Sequence, residues 1–273
     1  MAVETPYVLE QGLRPSATRC FLCGDDIDDT TGSKEHVFPK WLLNRFDLWN
    51  EPLTLLNGTV IKYRQLVIPC CQRCNNEHLA GVENRVQAAF AIGPSALVEL
   101  PSAELYLWMV KIYYGLLFRN LTLPVDQRDP AAGPIVTPED LSRFRFLHLM
   151  LQGLRGIDVS MLHAGTPGSC VIMPAQTSTA SHASLNWDYL DIPHVPFLAL
   201  RIGGVALFTG LEDFGALRPL RSRDEASGRR AAPPAPSGSV SGTGCTVRGD
   251  RHVGDPRTGL RRPTGWIQAA HHV

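Results

Sequence analysis

The sequence predicts an α+β fold, and three observations indicate it. Two Cys-x-x-Cys pairs, Cys20 with Cys23 and Cys71 with Cys74, enclose a segment rich in β-forming residues. Apolar residues at helical spacing follow the second pair and return later in the chain. Beyond residue 157, short apolar runs separated by turn residues are typical of a small antiparallel sheet.

Size and composition are those of a soluble globular protein. The 273 residues, 44% hydrophobic and 19% charged, can form one large domain or two modest ones. The first residues have neither the basic start nor the apolar run of a signal peptide. The longest apolar stretch, residues 105–117, is interrupted by Lys111 and is too short to span a bilayer of about 30 Å. We therefore expect a cytoplasmic protein with no membrane partner.

The charge distribution is asymmetric although the totals cancel. Lys and Arg number 26, as do Asp and Glu. From Pro219 onward nine Arg face four acidic residues, so the tail carries +5 and the preceding part −5. A basic tail on a mildly acidic body weakly indicates a polyanionic partner.

The cysteines indicate a structural zinc site. In a chain with no export signal, an odd count of seven, four of them in Cys-x-x-Cys pairs, favours metal binding over disulfides. Zinc suits four thiolates because it is tetrahedral, borderline-soft and redox-inert. Cys70 competes with Cys71 as a ligand, but only Cys71 has the two-residue spacer to Cys74. The predicted ligands are Cys20, Cys23, Cys71 and Cys74.

The first half predicts a small motif around these cysteines. Gly24 ends the first turn in a left-handed conformation, and the acidic residues 25–29 form a solvated loop. Asn57-Gly58 is a strong hairpin turn. Asn75 or Asn76 can cap the helix that follows the second pair. We expect residues 30–35 to be turn-like, residues 40–49 helical, residues 59–63 and 66–68 extended, and the helix after Cys74 to end at Gly93-Pro94.

The second half predicts helices followed by the sheet. The apolar face of residues 102–119 indicates core packing rather than a cofactor site. Thr137 and Asp140 can form a capping box for the next helix. After residue 218 no apolar period remains, so we expect a disordered tail. The other predicted elements are a connector over 121–136, a helix over 137–154, strands over 169–173, 196–202 and 205–209, and a hairpin turn at Gly203-Gly204.

Three short motifs together resemble the HNH endonuclease family. They are Cys20-x-x-Cys23, Glu35-His36-Val37-Phe38-Pro39 and Cys71-x-x-Cys74-Asn75-x-x-His78. The resemblance covers residues 18–92 and implies a ββα-metal fold with a zinc staple of the two-pair type. It divides the chain into an irregular leader (1–17), an HNH nuclease domain (18–93), an α+β accessory domain (94–217) and a disordered low-complexity tail (218–273).

The resemblance also implies a catalytic site. Glu35 and His78 resemble the ligands of a catalytic divalent ion, which could be Mg²⁺, Mn²⁺, Ni²⁺ or Zn²⁺, and His36 resembles the general base. Asn75 resembles a supporting residue after the zinc knuckle. Phosphodiester hydrolysis needs such a base and a cation to offset charge on the phosphate. The middle residue of the family motif has no clear match: Gln65 lies near its place, with Asn57 as a remote alternative.

The leading functional hypothesis is therefore a metal-dependent endonuclease, a hydrolase acting on ester bonds in double-stranded DNA. The first alternative is a non-catalytic, zinc-stabilised nucleic-acid-binding or protein-interaction module. A second is a structural zinc domain that serves the C-terminal part. Basic residues that flank the motifs could contact phosphates, although ordinary solvated charges explain them nearly as well. These are Lys34, Lys40, Arg45, Arg73 and Arg85. The remaining histidines, among them His148 and His182, we expect to be surface or internally satisfied residues.

Overall fold

The computed structural model describes residues 16–159, 162, 167–179, 182–192 and 194–216. In this part the chain combines helices with small antiparallel sheets, which confirms the predicted α+β class. The disordered tail predicted from residue 218 and most of the predicted leader lie outside the described residues. No helix in the described part is both long and apolar enough to cross a membrane.

In the N-terminal half, one Cys-x-x-Cys turn precedes a pair of strands and the other follows it. Gly24 has the left-handed conformation predicted for the end of the first turn, with φ of 79°. The elements that follow are β1 (Gly32–His36), α1 (Lys40–Arg45), β2 (Pro52–Thr54), β3 (Val60–Lys62), β4 (Val67–Cys71), a π-helical turn (Cys74–Leu79) and α2 (Ala80–Ile92).

Strand β1 was not expected from the sequence, which predicted residues 30–35 to be turn-like. It pairs antiparallel with β4, from Gly32 opposite Cys71 to His36 opposite Val67. The prediction was wrong because this strand is polar and owes its conformation to a partner distant in sequence. At its start, a Cβ on Gly32 would lie 2.6 Å from the carbonyl oxygen of Asp28, so only glycine allows this approach.

The hairpin predicted at Asn57-Gly58 is confirmed. It joins β2 to β3, and Gly58 has a φ of 79°, which favours glycine. Helix α1 is shorter than the predicted helix over 40–49 and ends at Arg45. Its buried residues, Leu42 and Leu43, attach it to the core.

A short helix, α3 (Pro94–Glu99), follows α2, and the helix after it, α4 (Ser102–Asn120), lies at the centre of the core. Every residue from 105 to 118 is buried, so the helix is enclosed on all sides rather than on one apolar face. It contacts α2, β4 and, in the second half, a helix and a strand. A Cβ on Gly115 would lie 3.3 Å from methyl groups of Val37 and Ile68, so the small residue lets the β1–β4 pair pack closely.

The second half contains two departures from the sequence prediction. The predicted connector over 121–136 contains a hairpin, and the predicted helix over 137–154 is divided at Phe144. Its start is as predicted, because the amide of Asp140 donates to Thr137 Oγ1 at 3.0 Å. The elements are β5 (Pro124–Asp126), β6 (Asp129–Pro134), α5 (Pro138–Arg143), α6 (Arg145–Leu151) and a 3₁₀ turn (Gln152–Arg155).

A four-stranded antiparallel sheet completes the fold. Its strands are β7 (Ser169–Pro174), β8 (Trp187–Ile192), β9 (Val195–Ile202) and β10 (Val205–Gly210), in the order β7-β10-β9-β8. The predicted Gly203-Gly204 hairpin joins β9 to β10. The sequence did not predict β8, whose two aspartates weaken its apolar signal, but Trp187 anchors this edge strand against Phe38.

The described residues all fall within one compact unit that ends at Asp224. This unit contains the predicted nuclease segment, 18–93, and the predicted accessory segment, 94–217. The division between them at residue 93 stays a prediction.

Candidate metal centre and adjacent acidic site

Four cysteine sulfurs form a group that can hold a metal ion. The Sγ atoms of Cys20, Cys23, Cys71 and Cys74 all lie within 4.8 Å of one another. Four ligands at the Zn–S distance of about 2.3 Å stand about 3.8 Å apart in a tetrahedron. The distance between Cys23 Sγ and Cys71 Sγ is 3.9 Å, so the geometry is compatible with structural zinc. Within the described residues, no other group of three or more His, Cys, Asp or Glu side chains comes close enough together to hold a metal ion.

Cys70 stands beside the four ligands and is not one of them. Its buried Sγ lies 3.8 Å from Cys20 Sγ, within hydrogen-bond distance. The hydrogen bond with Cys20 and burial raise the pKa of Cys70, so its thiol stays neutral. Hydrogen bonds from the other cysteines, chiefly Cys23, lower the pKa of Cys20 and favour its thiolate. The spacing argument for Cys71 over Cys70 therefore agrees with the structure.

The second half of the chain holds the first cysteine turn in place. His148 Nε2 lies 2.9 Å from the carbonyl oxygen of Phe21, and Gln152 Nε2 donates to that of Leu22 at 2.9 Å. His148 is fully buried and must carry its proton on Nε2 to donate to a carbonyl. From the other side, the amide of Phe21 donates to the carbonyl of Pro69 in β4 at 3.0 Å. The sequence-based expectation of an internally satisfied His148 is confirmed.

This burial predicts that His148 contributes to a pH-dependent stability. Burial lowers its pKa to about 4, against about 6.5 in the unfolded chain. Between these values the unfolded state binds the extra proton, so stability is lost as the pH falls from 6.5 towards 4, by up to about 3 kcal/mol. Urea unfolding at pH 7, 5.5 and 4.5 should show a smaller loss for His148→Gln than for the unmodified chain.

The exposed His182 provides the matched control, because His182→Gln should leave the pH profile unchanged. Acid also protonates the thiolates, but that effect is common to all three proteins and cancels in the comparison. Equal slopes for His148→Gln and the unmodified chain would contradict the assignment.

A buried ion-pair triad lies next to the metal centre. Lys111, from the middle of α4, forms ion pairs with Glu35 of β1 and with Glu83 of α2, the latter at 2.8 Å. Its ammonium also donates to the carbonyls of His36 and Val37, at 2.8 and 3.3 Å. The side chains of Lys111 and Glu35 are only 1% and 7% exposed. One ammonium therefore joins β1, α2 and α4 in the interior.

In this triad, burial and the neighbouring charges shift the pKa values in opposite directions. Burial raises the pKa of Glu35, while the ammonium of Lys111 acts to lower it. Burial alone would lower the pKa of Lys111, but the carboxylates of Glu35 and Glu83 outweigh it and raise that pKa overall. With both carboxylates ionised the triad carries a net charge of −1. The carboxylate predicted to bind a divalent ion is thus bound to an ammonium in this structure.

His36 lies at the end of β1, half-buried beside Trp49. The ring centroids are 5.4 Å apart, and its buried Nδ1 has no hydrogen-bond partner in the described part of the chain. Burial, with smaller contributions from the positive charges of Lys40 and Lys111, lowers its pKa to about 4. The imidazole is therefore neutral near pH 7 and can accept a proton.

His78 and Asn75 lie in the π-helical turn after Cys74. His78 is partly buried. Asn75 does not cap the helix as predicted, because it lies inside the helical segment, which carries no side-chain cap. Its Nδ2 instead donates to Ser33 Oγ at 2.9 Å and thereby joins the turn to β1. Asn76 is exposed and does not cap the turn either.

The residues considered for the middle of the HNH motif have other roles. Gln65 is exposed, and its Oε1 accepts the amide of Lys62 at 2.7 Å. Asn57 serves its own hairpin turn, accepting the amide of Thr59 at 3.1 Å and donating to the carbonyl of Pro124. Neither makes a hydrogen bond to His36.

Sequence reasoning assigned no role at the site to four side chains that the structure places against it: Lys111, Glu83, His148 and Gln152. A signal existed for Lys111, because a single lysine within a long apolar helix must find a charged partner if it is buried. No sequence signal identified its partners.

Comparisons with known proteins do not place the chain. No protein-family model, no curated protein and no solved structure matches it.

Proposed function

We propose that this chain is an HNH-type endonuclease that hydrolyses phosphodiester bonds in DNA, with His36 as the general base. The observation that carries the proposal is a combination of elements. An antiparallel strand pair, β1 with β4, leads into a helix through a four-cysteine group, and His36 ends the first strand. This is the order of elements that the sequence resemblance implies.

His36 has the chemistry that the reaction requires. A neutral imidazole can take a proton from a water molecule as its oxygen attacks the phosphorus atom. The bond from phosphorus to the 3′ oxygen then breaks, and the leaving oxygen takes up a proton from solvent. The Nδ1 of His36 makes no hydrogen bond to a described residue. The contact with Trp49 therefore helps to hold the ring in place.

Two exposed lysines lie where they could bind the substrate backbone. Lys34 and Lys40 flank His36 in sequence, and both are exposed without an ion pair in the described part of the chain. The three other predicted phosphate contacts already have partners. Arg85 pairs with Glu104 at 2.7 Å and Arg73 with Glu77 at 3.6 Å. Arg45 donates to the carbonyl of Phe90 at 3.4 Å. Lysine–phosphate contacts would make DNA binding sensitive to salt.

Glu35 and His78 are the residues that would hold a divalent ion, and such an ion would neutralise charge on the scissile phosphate. In the present arrangement the cation beside Glu35 is the ammonium of Lys111. A carboxylate and an imidazole suit Mg²⁺ or Mn²⁺, but an ion could bind Glu35 only if Lys111 released it.

A plasmid-nicking assay with Mg²⁺ or Mn²⁺ tests the proposal. The unmodified chain should nick supercoiled DNA, and His36→Ala should lower the rate by at least about 100-fold, since a general base contributes about 10²–10⁴. His182→Ala is the matched control and should keep full activity. Equal metal content and circular dichroism in all three proteins would exclude misfolding. Cleavage that survives in His36→Ala would refute the assignment.

The alternative is a non-catalytic zinc-stabilised module that binds nucleic acid or protein. The observation that favours it is the ion pair between Lys111 and Glu35, which leaves the carboxylate without access to another cation. The two proposals differ in one measurement. A non-catalytic module would bind DNA without nicking it under any divalent ion, and His36→Ala would not change that binding.

A further inference from the structure

A cavity of about 560 Å³ lies between the β1–β4 pair and the C-terminal end of α4. Its volume falls within the range of about 300–1,000 Å³ that is usual for small-molecule sites. Most of its wall is apolar, and this part includes Ile27, Val67, Ile68, Pro69 and Phe118. Such a wall can hold the apolar body of a ligand.

Arg119 lines this cavity and has no counter-ion among the described residues. Its Nε is buried and has no hydrogen-bond acceptor in the described part of the chain. Its one hydrogen bond to another side chain there is a long one of 3.4 Å, from Nη1 to Thr122 Oγ1. A guanidinium stays charged in proteins, and burying it without an acceptor is costly. An oxyanion is the ligand that its fork of donors fits.

One further cation and two acidic residues line the cavity. Lys34 adds a second cation on the β1 side. Asp28 and Asp29 also line the cavity, but both are exposed. The carboxylate of Asp28 is already engaged, because it accepts hydrogen bonds from the amides and hydroxyls of Thr30 and Thr31. The acidic groups therefore lie exposed, whereas Arg119 is half-buried and its Nε is fully buried.

We propose that this cavity binds a small organic oxyanion, a carboxylate or phosphate carried on an apolar body. Arg119 binds the oxyanion with help from Lys34, and Phe118 with its apolar neighbours contacts the body. The site shares Lys34 with the one proposed for hydrolysis, but Arg119, its principal oxyanion ligand, has no part in that hydrolysis. Arg119 lies eight residues after Lys111 on the same helix, about 12 Å along its axis.

Fluorescence titration of the metal-loaded full chain tests this site. The probe is 8-anilinonaphthalene-1-sulfonate, whose sulfonate stands in for the carboxylate or phosphate. N-phenyl-1-naphthylamine is the matched probe, since it has the same aromatic body without the charge. We expect saturable binding of the sulfonate with one site per chain. Arg119→Met should weaken it about tenfold or more and leave the neutral probe unaffected.

Two further comparisons keep the test decisive. Arg143→Met removes an exposed arginine elsewhere and should change nothing. In the unmodified chain, 1-naphthoate and 1-naphthyl phosphate should displace the dye, and the stronger competitor identifies the preferred oxyanion, while the uncharged naphthalene should not displace it. The proposal is overturned if Arg119→Met binds the dye as the unmodified chain does. It is equally overturned if the neutral probe binds as tightly in the unmodified chain, a comparison that does not depend on the folding of any variant.

Discussion

Replacing Cys74 with serine is expected to release the bound metal and to unfold the region around the β1–β4 pair. The four sulfurs are the shared attachment of the first turn, β4 and the helix that follows it. Metal binding to such sites contributes about 10–16 kcal/mol to the folding of small zinc domains. We expect one zinc per chain in the unmodified protein, none in Cys74→Ser, and a large loss of thermal stability in the variant.

Cys70→Ser is the matched control, because it changes a buried neighbouring cysteine that the geometry excludes from the ligand set. It should keep one zinc per chain and lose only the stability that one weak hydrogen bond supplies. Metal content by atomic absorption and unfolding by circular dichroism measure both effects. If Cys70→Ser loses the metal and Cys74→Ser keeps it, the assignment of ligands is wrong.

Replacing Lys111 with methionine should have the second-largest effect. The change keeps most of the length of the side chain but leaves the carboxylates of Glu35 and Glu83 without their cation. Breaking a buried ion pair in this way costs about 3–5 kcal/mol. Urea unfolding of the metal-loaded protein measures the loss in the free energy of unfolding.

A surface pair provides the control for the same kind of change. Arg85 pairs with Glu104 at 2.7 Å, but its side chain is 56% exposed, so Arg85→Met should cost at most about 1 kcal/mol. Adding Glu35→Gln to Lys111→Met should restore part of the lost stability, since one buried charge disappears. A cost for Lys111→Met no larger than that for Arg85→Met would show that the triad is not a stabilising element.

The predictable parts of this fold are those with local signals. The Cys-x-x-Cys spacing identified the four sulfurs that meet, and glycine turns at Gly58 and Gly203-Gly204 identified two hairpins. The capping box at Thr137 located the start of a helix. In each case the determining residues lie within a few positions of one another, so the chemistry is legible without knowledge of the fold.

The parts that could not be predicted depend on distant partners. Strand β1 is polar and is extended because β4 pairs with it. Lys111 meets Glu83 across 28 residues and the carbonyl of His36 across 75, and no local pattern records such a meeting. The candidate catalytic side chains were found by motif, but the ammonium bound to Glu35 was visible only in the structure.

The hydrogen bonds from His148 and Gln152 to the first cysteine turn bear on how the protein can be divided. A fragment that ends at residue 93 would lack both donors to the carbonyls of Phe21 and Leu22. It would also lack α4, whose buried surface covers the β1–β4 pair and whose lysine neutralises Glu35. Zinc could still join the four sulfurs of such a fragment, but it could not replace these contacts. We therefore expect the half that carries the motifs to need the other half for its stability.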